Sequence, residues 1–499
     1  MGRETGTLRL AKVALCLLLG LAHNAARAFD SVDDDRTWAV TGVAVVDVQT
    51  GAVRDDQTII VRRGLIEWIG PERAAQLPDG TLTVDERGRY AIPGLWDMHV
   101  HLRGGPSLEA ANKIWLRQYL GFGVTSVRDA GGDLPDAVLR WKRAIARGTL
   151  YGPRIFTSLR KIDGPAGAWE GSIPVSSSRD VPRALDQLQA AGADFIKVYD
   201  GSIDPQLYLE VLAEAERRGL RTAAHVPLSV PFEDAINAGL DSVEHAFHLL
   251  KAANPQDRAV SRRFAREGIP EDFEPYFVAV SALGKQADEG HARRMFREMA
   301  ARGTALTPTL YIRHAWNGVT RPDDGQDAPR YRATPPAIRK TYSIAMEIFA
   351  DRTAEQRASD LRLENLSLRL TRLAAEEGVT ILAGSDTGAE NPLVYPGDSL
   401  QHELQTLVDA GLTPLRALQA ATIEPARWFG KADELGTLDD GKAADFVILD
   451  ANPLDDIANT RAIAAVVQQG VFFDRDELAE LRVLSGADGA GTQVTPKHR

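Results

Sequence analysis

Cysteine is almost missing from this chain. Cys16 is the only one among 499 residues, which excludes a disulfide framework and a thiolate metal site, so any bound metal rests on nitrogen and oxygen ligands. An excess of positive charge is missing too. The 58 Lys and Arg are outnumbered by 69 Asp and Glu, for a net charge of −11, and no basic patch breaks the pattern, which argues against a nucleic-acid partner. Long hydrophobic runs are also scarce. The run Val13–Ala22 is too short to span a bilayer comfortably. Arg3, Arg9 and Lys12 precede it and Ala26-Arg27-Ala28 follows, so residues 1–28 read as a secretory signal peptide, the alternative being an uncleaved anchor. The Val-Ala-Leu before Cys16 lacks the small residue a lipid-attachment site requires. The mature protein is expected to be exported (periplasmic or secreted), with no membrane association and no cysteine. Loss of Arg3, Arg9, Lys12 and Arg27 against Glu4 takes its charge to −14.

What is present is ordinary globular material, 44% hydrophobic and 25% charged, long enough for one large domain and a smaller one. Residues 37–91 carry short strand-like runs punctuated by Gly51, Gly64 and Gly70, and a similar pattern returns at 428–475. The two ends are expected to build one small β-sandwich domain. Between them, residues 92–427 alternate apolar strands with helical runs such as Ala184–Ala191, Pro205–Arg218 and Leu363–Glu376. The strand ending at His101 is followed by Val124–Arg128, Ile155–Ser158, Phe195–Tyr199, Thr222–His225, Ser242–His245, Ala305–Thr309 and Thr380–Gly384. Eight such strands in series predict an α/β fold, a (β/α)8 TIM barrel with its chemistry at the C-terminal strand ends. Two long connections, 246–303 and 312–378, are expected to act either as lids and substrate walls or as surface helices. Residues 485–499 read as a disordered tail.

The candidate strand ends share a chemistry. His99 and His101 are spaced i and i+2, on one face of a strand. Lys197, His225, His245 and Asp386 occupy four further strand ends. Imidazole and carboxylate suit Zn²⁺ and other first-row divalent ions. Lys197 has no lone pair to offer as an ammonium. Carbamylated by CO₂, it becomes an anion able to bridge two metals roughly 3.5–4 Å apart. With Asp386 and one hydroxide it would offset two divalent ions to a net charge near +1. The alternative is a salt-bridged lysine beside a single metal.

The stretches Pro93–His101, Gly192–Val198, Ala224–Pro227, Ser242–His245, Ala383–Gly388, Ala417–Ala426 and Gly436–Phe446 together resemble the amidohydrolase superfamily, in its imidazolonepropionase-like and prolidase-like branch, over about residues 37–475. That resemblance implies two divalent metal ions, zinc foremost, one held by His99, His101 and Asp386 and the other by His225 and His245, with a carbamate on Lys197 as bridge. It implies hydrolysis of an amide-type C–N bond in a small substrate, a dipeptide or cyclic amide, with Asp386 as the catalytic base for a metal-acidified water. A lactonase, a deaminase at a mononuclear site, and a non-catalytic barrel protein are the alternatives. Arg160, Tyr199, His248 and Tyr311, with His402, are the candidate substrate contacts, and Arg160 or Tyr311 is a candidate carboxylate anchor. In place of the Gly-Gly-His-Gly stretch that many relatives carry after the third strand, this chain has Arg160–Trp169. A homo-oligomer is compatible with the sequence.

Overall fold

A computed structural model describes residues 37–268 and 273–483. The expected signal peptide and C-terminal tail lie outside the described residues. Among the described residues no helix is long and apolar enough to cross a membrane.

Both ends of the described residues contribute to one mixed sheet of eight strands. Thr37–Val46 pairs antiparallel with Val53–Arg62 and parallel with Leu82–Asp85 and Tyr90–Pro93. Tyr90–Pro93 then takes the C-terminal strand Phe446–Leu449 on its other edge, and Ile463–Gln468 and Val471–Phe473 extend the sheet. The alternation expected of a half-buried sheet puts Val43, Val45, Ile59, Val61, Phe446, Ile448 and Phe472 into one apolar cluster.

The middle of the chain forms parallel strands joined through helices. Leu95–His101, Val124–Asp129 and Arg154–Thr157 are neighbours in one sheet; Lys161–Asp163, Ile196–Val198, Thr222–Ala224, Ser242–Glu244 and Ala305–Thr307 follow in another. Every residue of Leu95–His101 is buried, as expected of a parallel strand covered on both faces. Helix starts follow the local chemistry: Pro205 opens Pro205–Arg217, with the Asp204 carboxylate accepting from the Gln206 and Leu207 amides.

The expected third strand, Ile155–Ser158, is found at Arg154–Thr157 with a further short strand after it, and two other expectations need correction. The third strand is not continuous: Arg154–Thr157 stops, Leu159 takes φ 61°, and Lys161–Asp163 resumes beside the fourth strand. The run 380–384 is no regular strand; its only bridge is Ile381 to Leu306. It is nevertheless held on both sides, by Leu306 N–H to Thr380 O (2.9 Å), Leu382 N–H to Leu306 O (2.8 Å) and Met98 N–H to Ala383 O (2.8 Å). Regular pairing ends where the backbone turns: a Cβ on Gly384 would sit 2.9 Å from the His99 amide nitrogen, and Asp386 has φ 59°. The helix expected at Leu363–Glu376 runs from Ala354 to Glu376, because Thr353 and Gln356 form a capping box well upstream of the apolar periodicity.

The long connections carry the helices Asp257–Glu267, Phe273–Gly284 and Glu289–Arg302, then Leu310–Asn317, Ser343–Ala350 and Ala354–Glu376. Leu310–Asn317 is capped from outside: the fully buried Glu403 carboxylate accepts the Leu310 and Tyr311 amides at 3.0 and 2.7 Å. Burial pushes this carboxyl up to about 8, against those two hydrogen bonds. Below pH 4.5 the group is neutral in both folded and unfolded chains. As pH rises the unfolded chain loses its proton first, so folding weakens progressively until pH passes about 8. Glu403→Gln removes this ionisation. Melting temperatures at pH 5 and pH 8.5 should show the variant gaining on the wild type at the higher pH.

Candidate active site

The strand Leu95–His101 carries His99 and His101 on one face, with ring centroids 5.1 Å apart. His245 lies 4.7 Å from His99, and His225 lies 4.6 Å from His245, centroid to centroid. An Asp386 carboxylate oxygen is 3.2 Å from His101 Nε2 and 3.8 Å from His99 Nε2. Residues from three strand ends and from the turn after the run 380–384 therefore converge, with Thr309, just past the strand Ala305–Thr307, beside His245. Three of them are turned into the left-handed region that non-glycine residues rarely occupy: His245 (φ 65°), Thr309 (φ 45°) and Asp386 (φ 59°). Such conformations cost of order 1–3 kcal/mol each and cluster where a side chain must be re-aimed.

Each histidine is oriented through Nδ1. His99 Nδ1 meets the Glu244 carboxylate at 2.5 Å, His101 Nδ1 the Gly131 carbonyl at 2.9 Å, His225 Nδ1 the Asp200 carboxylate at 2.8 Å, and His245 Nδ1 the Thr309 hydroxyl at 2.7 Å. The carboxylate and carbonyl partners place the proton of His99, His101 and His225 on Nδ1 and leave Nε2 as a lone-pair donor, the arrangement of metal-ligating histidine, whereas the Thr309 hydroxyl accommodates either tautomer of His245. His225 Nε2 and His245 Nε2 face each other at 3.0 Å. Without a shared cation or proton that approach is repulsive. His99 Nε2 and Lys197 Nζ are fully buried with no hydrogen-bond partner, an arrangement that costs free energy unless another group satisfies them. Ligand atoms of His99, His245 and Asp386 all lie within 4.8 Å of one another. The donor set fits divalent metal.

Burial governs the charge states. It lowers His99 to about 3 and His245 well below the ordinary imidazole value, in both cases reinforced by cationic neighbours. It raises Asp386 to about 6 against the opposing pull of Arg103 and Lys197, and brings Lys197 down to about 8. Glu244 resists the desolvation that would raise it: Arg128 and His99 hold it well below the usual carboxylate range. Asp200 is likewise held low, against burial, by His225.

Of the other candidates, Tyr199 lines the cavity above the cluster, with its ring 4.3 Å from His225. His248 is buried beside His225, 5.2 Å between centroids, and its Nε2 has no partner. Arg160 is instead directed to the Gly171 carbonyl at 3.1 Å, and Tyr311 stacks on His402 at 4.5 Å. Neither lines the cavity. The orienting residues Asp200, Glu244, Arg128 and Thr309 were not anticipated. Asp200 and Glu244 each adjoin a recognised strand-end position, a proximity that could have marked them.

The cavity measures about 480 Å³. His101, His225, His245 and Asp386 form its floor. Its walls come largely from the two long connections: Phe247, Tyr276 and Phe277 from the first, Arg313, Trp316 and Phe349 from the second or its leading helix. These connections supply much of the cavity wall.

The amidohydrolase family model matches residues 90–473, and the chain belongs to that family. It is 25% identical over 430 residues to a dihydroorotase from Anaeromyxobacter dehalogenans, covering 83% of this chain and 88% of that protein. It is 26% identical over 437 residues to an imidazolonepropionase from Deinococcus radiodurans, covering 83% and 90%. A solved structure from Bifidobacterium longum described as a prolidase superposes with a TM-score of 0.64 at 26% identity, covering 89% of this chain and 98% of that one. The protein is accordingly a metal-dependent hydrolase of amide-type C–N bonds, with a fold of the TIM-barrel type.

Proposed function

We propose that this enzyme hydrolyses a dipeptide-like or cyclic amide at a binuclear centre. His99, His101 and Asp386 would hold one ion, His225 and His245 the other, and Lys197, as its carbamate, would bridge them. The observation that carries this reading is the approach of His99 Nε2 and His101 Nε2 to Asp386, with His225 Nε2 and His245 Nε2 facing each other and Lys197 Nζ buried without a hydrogen-bond partner. Zinc is the ion best matched to these donors. Bound divalent metal supplies Lewis acidity and lowers the pKa of water from 15.7 to about 7. Asp386 accepts the proton of the attacking water and delivers it to the leaving nitrogen. Glu244, Asp200, Gly131 and Thr309 hold the imidazoles in place, and the aromatic walls exclude bulk water.

The same reading closes the two parallel sheets and the run 380–384 into an eight-stranded barrel, supported by the hydrogen bonds on both sides of that run. It treats residues 37–91 and 428–475 as a β-sandwich domain, 92–427 as the barrel, and 1–28 as a cleaved signal that exports the enzyme.

Chelated protein titrated with zinc in bicarbonate buffer should take up two equivalents per chain and regain hydrolysis of a panel of dipeptides and cyclic amides. Uptake of one equivalent, unaffected by bicarbonate, would exclude the bridged pair. Turnover of lactones without amides would exclude the proposed substrate class.

A further inference from the structure

The cavity has a second polar feature, set in its wall. Arg313 lies on Leu310–Asn317, the helix that follows Thr309, and is 8% exposed. It lines the same cavity. Its guanidinium carbon sits 4.3 Å over the Phe277 ring and 5.9 Å from the Phe247 ring. Asp360 is 3.8 Å from Nη1, beyond hydrogen-bond range, and pairs more closely with Arg352 at 2.5 Å. Nη1 of Arg313 has no hydrogen-bond partner.

The other cavity arginine is already committed. Arg103 donates to the Ala389 carbonyl at 2.9 Å and the Asn391 side-chain oxygen at 3.1 Å, and pairs with Glu390 at 3.5 Å. A guanidinium held off its nearest carboxylate and set in an apolar cavity wall is suited to a further carboxylate, which it binds through parallel N–H···O bonds.

The surroundings define what accompanies that carboxylate. Phe247 stacks on His245, centroids 5.3 Å apart and planes 2° apart, and the Arg313 guanidinium carbon lies 5.9 Å from the centre of the same ring. Trp316 and Phe349, stacked at 4.9 Å, complete the wall. Through that shared ring, His245 and the Arg313 guanidinium lie no farther apart than about three extended residues reach.

We propose that the substrate is a short amide bearing a carboxylate and a large apolar or aromatic group, the carboxylate held by Arg313 and the apolar group by Phe247, Phe277, Trp316 and Phe349. This rests on the hydrolase reading above. It moves the carboxylate anchor from Arg160 and Tyr311, which face elsewhere, to a residue of the cavity wall.

The test uses ligands with no scissile bond. Calorimetric titration of zinc-loaded protein should give 3-phenylpropionate an affinity at least about tenfold above that of 3-phenylpropanol, and above that of propionate. Arg313→Met should erase the acid-over-alcohol preference. Arg313→Lys, which keeps the charge and loses the planar fork, should fall between. Equal affinity for acid and alcohol in the wild type, or a preference unchanged in R313M, would overturn the anchor; propionate binding as tightly as 3-phenylpropionate would overturn the apolar subsite. Failure to hydrolyse any amide, with this ligand pattern intact, would count against the C–N hydrolase reading and leave Arg313 in place.

Discussion

Asp386→Asn is expected to reduce kcat by about 10³-fold, within the range a positioned acid–base group contributes, while leaving most of the bound metal in place. The asymmetry follows from the geometry. The Asp386 carboxylate reaches His101 at 3.2 Å and His99 at 3.8 Å, so an amide oxygen in the same position keeps one ligand atom while losing the ability to accept a proton. The backbone argues for a clean comparison. Asp386 donates its amide to the His99 carbonyl at 2.7 Å, and its own carbonyl accepts from Asn391 at 2.6 Å. Asparagine tolerates the left-handed φ of 59° as readily as aspartate does. Metal content by elemental analysis, alongside steady-state kinetics, checks the pair of outcomes. Normal turnover in D386N would remove Asp386 from the chemistry.

The second large effect lies one step behind the ligands. Glu244 and Arg128 are both fully buried and joined at 2.7 Å, with a further Glu244 contact to Ser242 at 2.6 Å and to His99. Glu244→Ala leaves a guanidinium uncompensated in the interior, which should cost about 3–5 kcal/mol of folding stability. It also frees the His99 ring, and loss of such an orienting partner should weaken metal binding by about 10–100-fold. Arg128→Met made alone leaves the carboxylate stranded in turn. The double variant should therefore lose much less stability than the two single losses combined, because neither charge remains to be left unpaired. Denaturant unfolding of all four proteins measures this, and simple additivity would show that the pair is not coupled.

The sequence made the strand-end positions legible because each lies where an apolar strand stops, and one period-2 pattern after another ends on His99, His101, Lys197, His225 or His245. The sheet formed by both termini was visible for the same reason. Other features depend on contacts that no local pattern encodes. Thr309 orients His245 across 64 residues of chain, and Glu244 reaches His99 across 145. The break in the third strand turns on Leu159 adopting a positive φ, where a non-glycine residue gives no warning. Arg313 reads in sequence as an ordinary helix arginine. Only the placement of Phe247 and Phe277 against it, from a different connection, sets it in the cavity wall.

The mixed sheet also bears on how the chain is made. Tyr90–Pro93 receives Phe446–Leu449 along one edge, so that edge stays bare until the last part of the polypeptide exists. At ordinary rates of synthesis the intervening stretch takes on the order of tens of seconds. Throughout that interval an apolar strand offers its unpaired amides and carbonyls to any neighbouring chain. Completion of the sheet is therefore a late event in biogenesis, and shortening the C-terminus before Phe473 should reduce the yield of soluble protein before it affects the rate of the enzyme.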